Sequence, residues 1–187
     1  AINIMRRIMQ AQGAEVIHLG HNRSVQEVVD AAIEEDAQGI AVSSYQGGHV
    51  EYFEYLTQLL REAGADQIKV FGGGGGVIVA EEIARLRESG VTIFSPEDGQ
   101  RLGLPGMIAE VLHACDVDPY AAAPVDLDAL LSGDKSAVAR AITGAELGAL
   151  GSAEHTIRTA AARRVVPVLG ITGTGGSGKS SLTDELV

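Results

Sequence analysis

Short apolar segments alternate with amphipathic helical patterns along the first 116 residues. Apolar residues in the helical patterns recur about every three to four positions, whereas each apolar segment is short and bounded by glycine or polar residues. The pattern predicts strands at residues 15–20, 39–43, 68–71 and 91–94, and helices at residues 2–12, 25–36, 50–63, 80–88 and 104–114. Such alternation is typical of an α/β fold with a doubly wound parallel sheet, which we therefore predict.

Ligands of doubly wound folds bind just beyond the carboxyl ends of the strands. The segments that follow the four predicted strands read GHNRS, SSYQGGH, GGGGGV and SPEDG. The five consecutive glycines, Gly72 to Gly76, leave a bare stretch of backbone against which a large, flat ligand can lie, although a flexible loop would have the same composition. Ser43 and Ser44 either bind a ligand or cap the next helix.

The end of the chain contains a phosphate-binding motif. Residues 173–180 read GTGGSGKS and match G-x-x-x-x-G-K-[ST], and the apolar run at residues 165–169 predicts the strand that should precede such a loop. Backbone N–H groups and a following helix would hold the phosphates of a nucleoside triphosphate, Lys179 would add a positive charge, and Ser180 would bind Mg²⁺. A Gly/Ser-rich linker that matches by chance is the alternative. The predicted nucleotide-binding residues are Gly173, Gly175, Gly176, Ser177, Gly178, Lys179, Ser180 and Ser181.

The domain organisation follows from these patterns. Residues 1–116 form the first domain, 117–163 a helical linker with helices at 127–131, 136–149 and 153–163, and 164–187 the start of a second α/β domain. The residues that complete an NTPase site usually lie well downstream of the phosphate loop. The first domain also begins on a helix, so we expect a segment of a longer polypeptide whose first strand lies upstream.

Composition restricts the class of protein. The chain has 187 residues, 45% of them hydrophobic, which is enough for a packed core. A net charge of −11 argues against binding to nucleic acid or to anionic membranes, and no apolar run has the length of a membrane span. A single cysteine, Cys115, suits a reducing compartment, so we expect a cytoplasmic protein.

Three stretches together closely resemble the cobalamin-binding domain of acyl-CoA mutases: GIAVSSYQGGHVEYFEYLTQLLREAG, the GG-V-I at residues 75–78, and IFSPEDG. The resemblance covers residues 1 to about 116 and implies a flavodoxin-like fold. The family pattern is D-x-H-x-x-G, S-x-L and G-G; the histidine binds cobalt, and the serine and glycines line the slot for the displaced dimethylbenzimidazole tail. The resemblance implies a cofactor site formed by Ser43, Tyr45, Gly47, Gly48, His49, Gly74, Gly75, Gly76, Ser95 and Pro96.

The chain departs from this pattern in three respects. Tyr45 replaces the leucine of S-x-L, which would narrow or polarise the wall of the tail slot, and three extra glycines precede the pair. Aligned with the family, Ala1 falls near the last position of D-x-H-x-x-G. The cobalt-ligating histidine is therefore expected upstream of Ala1, and none of the five histidines present is assigned to cobalt.

The order of the motifs, a cobalamin domain, helices and then a phosphate loop, resembles the family of fused isobutyryl-CoA mutases. That resemblance implies an adenosylcobalamin-dependent isomerase of branched acyl-CoA, a GTPase chaperone domain that uses Mg²⁺ with GTP, an acyl-CoA-binding barrel downstream, and a homodimer. Its catalytic residues are not assigned. Two alternatives stay open: a cobalamin-carrying GTPase chaperone that loads a separate mutase subunit, and an FMN-binding or signalling domain of the same topology.

Overall fold

The computed structural model describes residues 2–45, 47–122 and 124–186 and divides them into two compact units, one that ends at Gly151 and one that begins at Ser152. The described elements of the first unit are α1 (Ile2–Ala11), α2 (Val25–Glu34), β1 (Gly39–Ser43), α3 (His49–Glu62), β2 (Lys69–Gly73), α4 (Ala80–Glu88), β3 (Val91–Phe94), α5 (Pro96–Cys115), α6 (Pro119–Ala122), α7 (Leu127–Ser132) and α8 (Lys135–Glu146). Those of the second unit are α9 (Ser152–Ala162) and α10 (Lys179–Leu186).

The three strands form one parallel sheet in the order β1-β2-β3. Gly39 pairs with Lys69, and Val70 pairs with Val91, so the carboxyl ends of all three strands lie at the same edge. The parallel sheet with intervening helices confirms the predicted α/β class. Strand β2 is longer than predicted and includes the first two glycines of the run, because their backbone groups continue the pairing with β1 and β3.

The prediction of a strand at residues 15–20 is wrong. In the described part of the chain this segment pairs with no strand, and the sheet has three members instead of four. The side chains of Val16 and Leu19 nevertheless pack against the hydrophobic core. The apolar pattern therefore reports the partial burial of two side chains, whereas a strand also needs a neighbouring backbone for its hydrogen bonds.

Hydrophobic side chains cover both faces of the sheet. Val70 belongs to a core cluster formed with α2, α3 and α4, which contains the fully buried Phe53, Leu56 and Leu86. The next residue, Phe71, belongs to a second cluster with Met9 of α1 and Ile108 of α5. Since successive side chains of a strand point to opposite faces, helices pack on both sides of β2. This is the layered arrangement expected of a doubly wound fold.

Two helices begin where the sequence predicts. Ser24 caps α2, and the capping box is closed by Glu27, whose carboxylate accepts a hydrogen bond of 2.8 Å from the backbone N–H of Ser24. Helix α5 is interrupted at Gly103, whose φ of 62° lies in the left-handed region. Its second half therefore begins at Leu104, as predicted, while Ser95 caps its first half.

Helices α6 to α8 pack within the first unit. The guanidinium of Arg140 on α8 lies 2.9 Å from a carboxylate oxygen of Asp36, which follows α2, and the Thr143 hydroxyl donates a hydrogen bond of 2.8 Å to the other oxygen. Both charged side chains are almost buried, 12% and 11% exposed. The ring of Tyr120 lies against Gly144, where a Cβ would overlap it. Helices are thus present close to the predicted ranges 127–131 and 136–149, as α7 and α8, and α8 packs on α2.

In the second unit, α9 and α10 are separated by a segment without regular structure. The predicted strand at residues 165–169 is wrong for the described chain: Val165 and Val168 are 98% and 93% exposed, and no strand pairs with them. As at residues 15–20, an apolar run has no backbone partner among the described residues. No described helix of either unit is long and apolar enough to cross a membrane.

Candidate functional site

The carboxyl ends of the three strands place three loops side by side. β1 ends at Ser43, and the loop after it contains Ser44, Tyr45, Gly47 and Gly48. The loop after β2 contains the last three glycines of the run, and Ser95 joins β3 to Pro96, the first residue of α5. Each of these loops leads into the amino terminus of a helix, α3, α4 or α5. The predicted cofactor residues therefore lie on neighbouring loops, although they come from distant parts of the sequence.

The loops after β1 and β2 contact each other directly. The N–H of Ser44 donates a hydrogen bond of 2.9 Å to the carbonyl of Gly73, which extends the pairing one residue beyond β1. A Cβ on Gly74 would overlap the Ser44 carbonyl oxygen, and one on Gly75 would lie 2.8 Å from the Tyr45 ring. Close approach of the Ser44 backbone therefore requires glycine at position 74, whereas Gly75 is favoured by its left-handed φ of 57°.

The glycine run therefore serves the chain's own packing as well as any ligand. A Cβ on Gly72 would overlap the Phe53 ring, whereas Gly73 has no heavy atom closer than 3.9 Å to the equivalent point. Gly76 has a φ of 92° and faces Pro96, with 3.4 Å between its ideal Cβ position and the proline ring. Open backbone at the sheet edge is thus confined to part of the run.

Tyr45 and Gly48 give the loop after β1 its shape. The Tyr45 side chain is 62% exposed and rests on Gly75. Gly48, with a φ of 82°, occupies the position before α3, a left-handed conformation that side chains seldom adopt. Gly47 is exposed and has open space around its Cα. A ligand at this edge would thus meet an exposed aromatic ring and bare backbone.

His49 is buried, only 7% exposed, and its Nε2 donates a hydrogen bond of 2.9 Å to Glu82 Oε2 on α4. The same carboxylate oxygen accepts a hydrogen bond of 3.0 Å from the N–H of Val79. The hydrogen bond from His49 is the main cause that lowers the pKa of Glu82, followed by the Val79 N–H. Glu82 was not predicted from the sequence, where its only signal is its place three residues after Val79 at the start of a helix.

Ser95 uses its side chain for the helix. Its hydroxyl accepts a hydrogen bond of 3.1 Å from the N–H of Asp98, and the Asp98 carboxylate accepts one of 3.0 Å from the N–H of Ser95. The hydrogen bond from Arg101, followed by that from the Ser95 N–H, lowers the pKa of Asp98. Ser95 thus fixes the start of α5, and Pro96 presents its ring to Gly76.

The phosphate-binding motif lies in the second unit, directly before α10. Gly176 and Gly178 have positive φ angles of 76° and 77°, and the Ser177 hydroxyl lies against Gly173. The ammonium of Lys179 donates hydrogen bonds of 2.7 Å to the carbonyl oxygens of Gly173 and Thr174. The loop is therefore curled around its own lysine, and α10 follows it in the order that the motif requires. Ser180 and Ser181 form the first turn of α10.

The described residues at the sheet edge offer a ligand mainly uncharged surface. In the described parts of both units, no group of three or more histidine, cysteine, aspartate or glutamate side chains is placed to hold a metal ion. The ionisable side chains at this edge, His49, Glu82 and Asp98, are hydrogen-bonded within the protein. The surface left for a ligand consists of backbone, an aromatic ring and a proline.

Comparison with known proteins shows the family of the chain. Residues 1–103, more than half of the chain, match the B12 binding domain family. The chain belongs to the B12-binding domain family. The matched range includes the three loops and the strands that carry them.

Curated relatives match the entire chain. It is 70% identical over 188 residues to a protein of Nocardia farcinica named "Fused isobutyryl-CoA mutase", and 63% identical over 192 residues to a protein of the same name from Cupriavidus metallidurans. A third, from Geobacillus kaustophilus, is 59% identical over 196 residues. Each alignment includes 100% of this chain but only 17–18% of the length of the relative.

Proposed function

We propose that this chain is the cobalamin-binding and phosphate-loop segment of an adenosylcobalamin-dependent acyl-CoA mutase fused to a GTP-hydrolysing chaperone domain. The observation that carries the proposal is the match of the whole chain, phosphate loop included, to fused isobutyryl-CoA mutases. The reaction is the isomerisation of isobutyryl-CoA to n-butyryl-CoA. The substrate would bind a downstream barrel of the full-length protein, which we expect to be a cytoplasmic homodimer.

The described residues fit the tail of a cobalamin better than a small, highly charged ligand. The edge offers bare backbone at Gly73 and Gly76, the exposed ring of Tyr45, and little charge that is not already hydrogen-bonded. Bound cobalamin supplies a cobalt–carbon bond whose homolysis starts the radical chemistry. In this proposal Ser43, Tyr45 and the glycines hold the nucleotide tail, and the histidine that binds cobalt lies on the amino-terminal side of Ala1.

The phosphate loop would serve the chaperone domain. Gly173 to Gly178 offer backbone N–H groups to phosphate oxygens, Lys179 supplies a positive charge, and Ser180 would bind the Mg²⁺ that accompanies GTP. The position of the loop directly before α10 supports this role. The choice of guanine over adenine follows from the proposed family and not from the described residues.

The cofactor part is tested by titrating the full-length protein with hydroxocobalamin and following the visible absorption spectrum. We expect saturable binding and a spectrum of cobalamin whose dimethylbenzimidazole has left cobalt. A spectrum unchanged from free hydroxocobalamin would contradict the proposal. Protein loaded with adenosylcobalamin is then supplied with isobutyryl-CoA, and n-butyryl-CoA is measured; cofactor binding without isomerisation would instead favour a protein that loads a separate mutase.

The nucleotide part is tested by measuring GTP hydrolysis with and without Mg²⁺. Lys179→Ala should abolish hydrolysis, because it removes the charge next to the phosphates. Lys135→Ala, which removes an exposed lysine of α8, is the matched control and should retain full hydrolysis. Equal hydrolysis by the Lys179 variant and the wild type would refute the role of the loop.

A further inference from the structure

His49 and Glu82 join two helices at the edge where the cofactor is proposed to bind. His49 is the first residue of α3, directly after the loop that follows β1, and Glu82 is the third residue of α4, directly after the loop that contains the glycine run. Their side chains are 33 positions apart in sequence and meet at 2.9 Å. The hydrogen bond therefore links the two loops where they enter helices α3 and α4.

The loops are also joined at the ends nearer to the sheet, through the hydrogen bond from the Ser44 N–H to the Gly73 carbonyl. Between the two connections lie Tyr45, Gly47 and Gly48 of the first loop and Gly74 to Val79 of the second. Within this stretch Gly74 contacts the Ser44 carbonyl, Gly75 contacts the Tyr45 ring, and Ile78 is buried in the core. The bond between His49 and Glu82 adds a connection at the helical ends of both loops, so its removal would loosen the spacing of the loops there.

The burial of His49 favours this hydrogen bond. The imidazole is 7% exposed, and the next residue, Val50, is also buried in the core. Buried polar groups are hydrogen-bonded in native structures, and Glu82 accepts one hydrogen bond from the imidazole. Glu82 Oε2 also accepts the Val79 N–H, which means that one oxygen fixes both the start of α4 and its distance from α3.

We propose that the His49–Glu82 hydrogen bond sets the spacing between the loop after β1 and the glycine loop, and that cobalamin requires this spacing to bind. His49 is thus a positioning residue that acts through Glu82. This inference rests on the proposed binding of cobalamin at the sheet edge. It predicts that Glu82 affects cofactor affinity, although its carboxylate is hydrogen-bonded to His49 and Val79.

The same two helices offer a matched control. Arg85 of α4 makes two hydrogen bonds, of 2.6 and 2.7 Å, to the carboxylate of Glu54 on α3. Glu54 lies more than one helical turn beyond His49, and the pair is on the surface, with the Arg85 side chain 62% exposed. Glu54→Ala therefore removes a contact between α3 and α4 without loosening either loop.

The test measures hydroxocobalamin affinity and dissociation rate by visible absorption for full-length protein and its variants. His49→Ala and Glu82→Ala should each weaken binding about tenfold or more, since a hydrogen bond to a charged group contributes about 1.5–3 kcal/mol. The double variant should bind no worse than either single variant, because both changes remove the same connection. Glu82→Gln keeps an acceptor for His49 and Val79 and should restore affinity to within about threefold of wild type.

Melting temperatures of the ligand-free variants separate positioning from general stability. Glu54→Ala should retain wild-type affinity even if it melts at a lower temperature. Weak binding by His49→Ala alone, with Glu82→Ala unaffected, would mean that His49 contacts the ligand itself and would overturn the proposal. Additive losses in the double variant would overturn it too. Absence of cobalamin binding to the wild type is a different result, which refutes the proposed function.

Discussion

Replacement of Gly72 by alanine should destabilise the sheet strongly, because the added methyl group has no space. Gly72 is on β2, and buried side chains occupy the space where its Cβ would lie. Its Cβ would overlap Phe53 Cζ and would lie 2.6 Å from Ile93 Cδ1. Phe53 is fully buried and Ile93 is 5% exposed, so neither can rotate into solvent.

The magnitude follows from the cost of overpacking. An extra methyl group in a well-packed core costs typically about 1–3 kcal/mol, and two rigid neighbours place Gly72→Ala near the upper end, at about 3 kcal/mol. A destabilisation of that size increases the population of molecules in which β2 has opened about a hundredfold. Gly73→Ala is the matched control. The nearest atom to its Cβ would be the Phe94 carbonyl oxygen at 3.9 Å, so stability should change by less than about 0.5 kcal/mol.

The assay is hydrogen exchange of β2 peptides, measured by mass spectrometry in the full-length protein. Exchange reports the opening of this strand even if the whole chain does not unfold in a two-state manner. Under conditions in which reclosing is faster than exchange, the β2 amides of Gly72→Ala should exchange about a hundredfold faster than those of the wild type. Similar exchange rates in the Gly72 and Gly73 variants would refute the steric argument, as would a Gly72 variant indistinguishable from wild type.

Three further predictions concern ionisable groups. Asp36→Ala should destabilise the packing of α8 by about 3 kcal/mol, because it removes a carboxylate that contacts the nearly buried Arg140. Glu34→Ala removes an exposed ion pair and should cost less than about 1 kcal/mol. The free energies of unfolding of the two variants are compared by urea unfolding. The pKa of Glu82 lies below its ordinary value of 4.5, so its stabilising effect is full above pH 4.5 and is lost as the pH falls through the lower folded-state pKa. Glu82→Gln should therefore show a flatter decrease of the urea midpoint between about pH 5 and pH 2 than wild type, and a parallel decrease would contradict this. Partial burial raises the pKa of Cys115, so its reaction with a thiol reagent at neutral pH should be slower in folded protein than in urea, and equal rates would contradict this.

Local sequence signals predicted the helices and two of the strands well. The capping box of Ser24 and Glu27 placed the start of α2 correctly, since both partners are three residues apart and need no other part of the fold. Strands 39–43 and 91–94 were also correct. Strand β2 extends into Gly73 although glycine is a poor strand former, because hydrogen bonds to both neighbours outweigh that preference.

Features that depend on distant residues were not predicted. The apolar segments at residues 15–20 and 165–169 have the composition of strands, but a strand exists only where another backbone pairs with it. Glu82 was missed as a partner of His49 because 33 positions separate them, and the pairing of Asp36 with Arg140 spans 104 positions. Likewise, the glycine run was interpreted as open backbone, whereas Gly72 and Gly74 are in fact closely packed against Phe53 and Ser44.

The curled phosphate loop gives the proposed nucleotide a competitor within the protein. The carbonyl oxygens of Gly173 and Thr174 already accept hydrogen bonds from the ammonium of Lys179, which has three N–H donors, so a phosphate competes with them for that group. A charged phosphate oxygen is the stronger acceptor, which favours the exchange. The measured affinity is then the intrinsic affinity multiplied by the fraction of molecules in which the lysine is released. Any domain that stabilises the released lysine would therefore tighten nucleotide binding without touching the nucleotide.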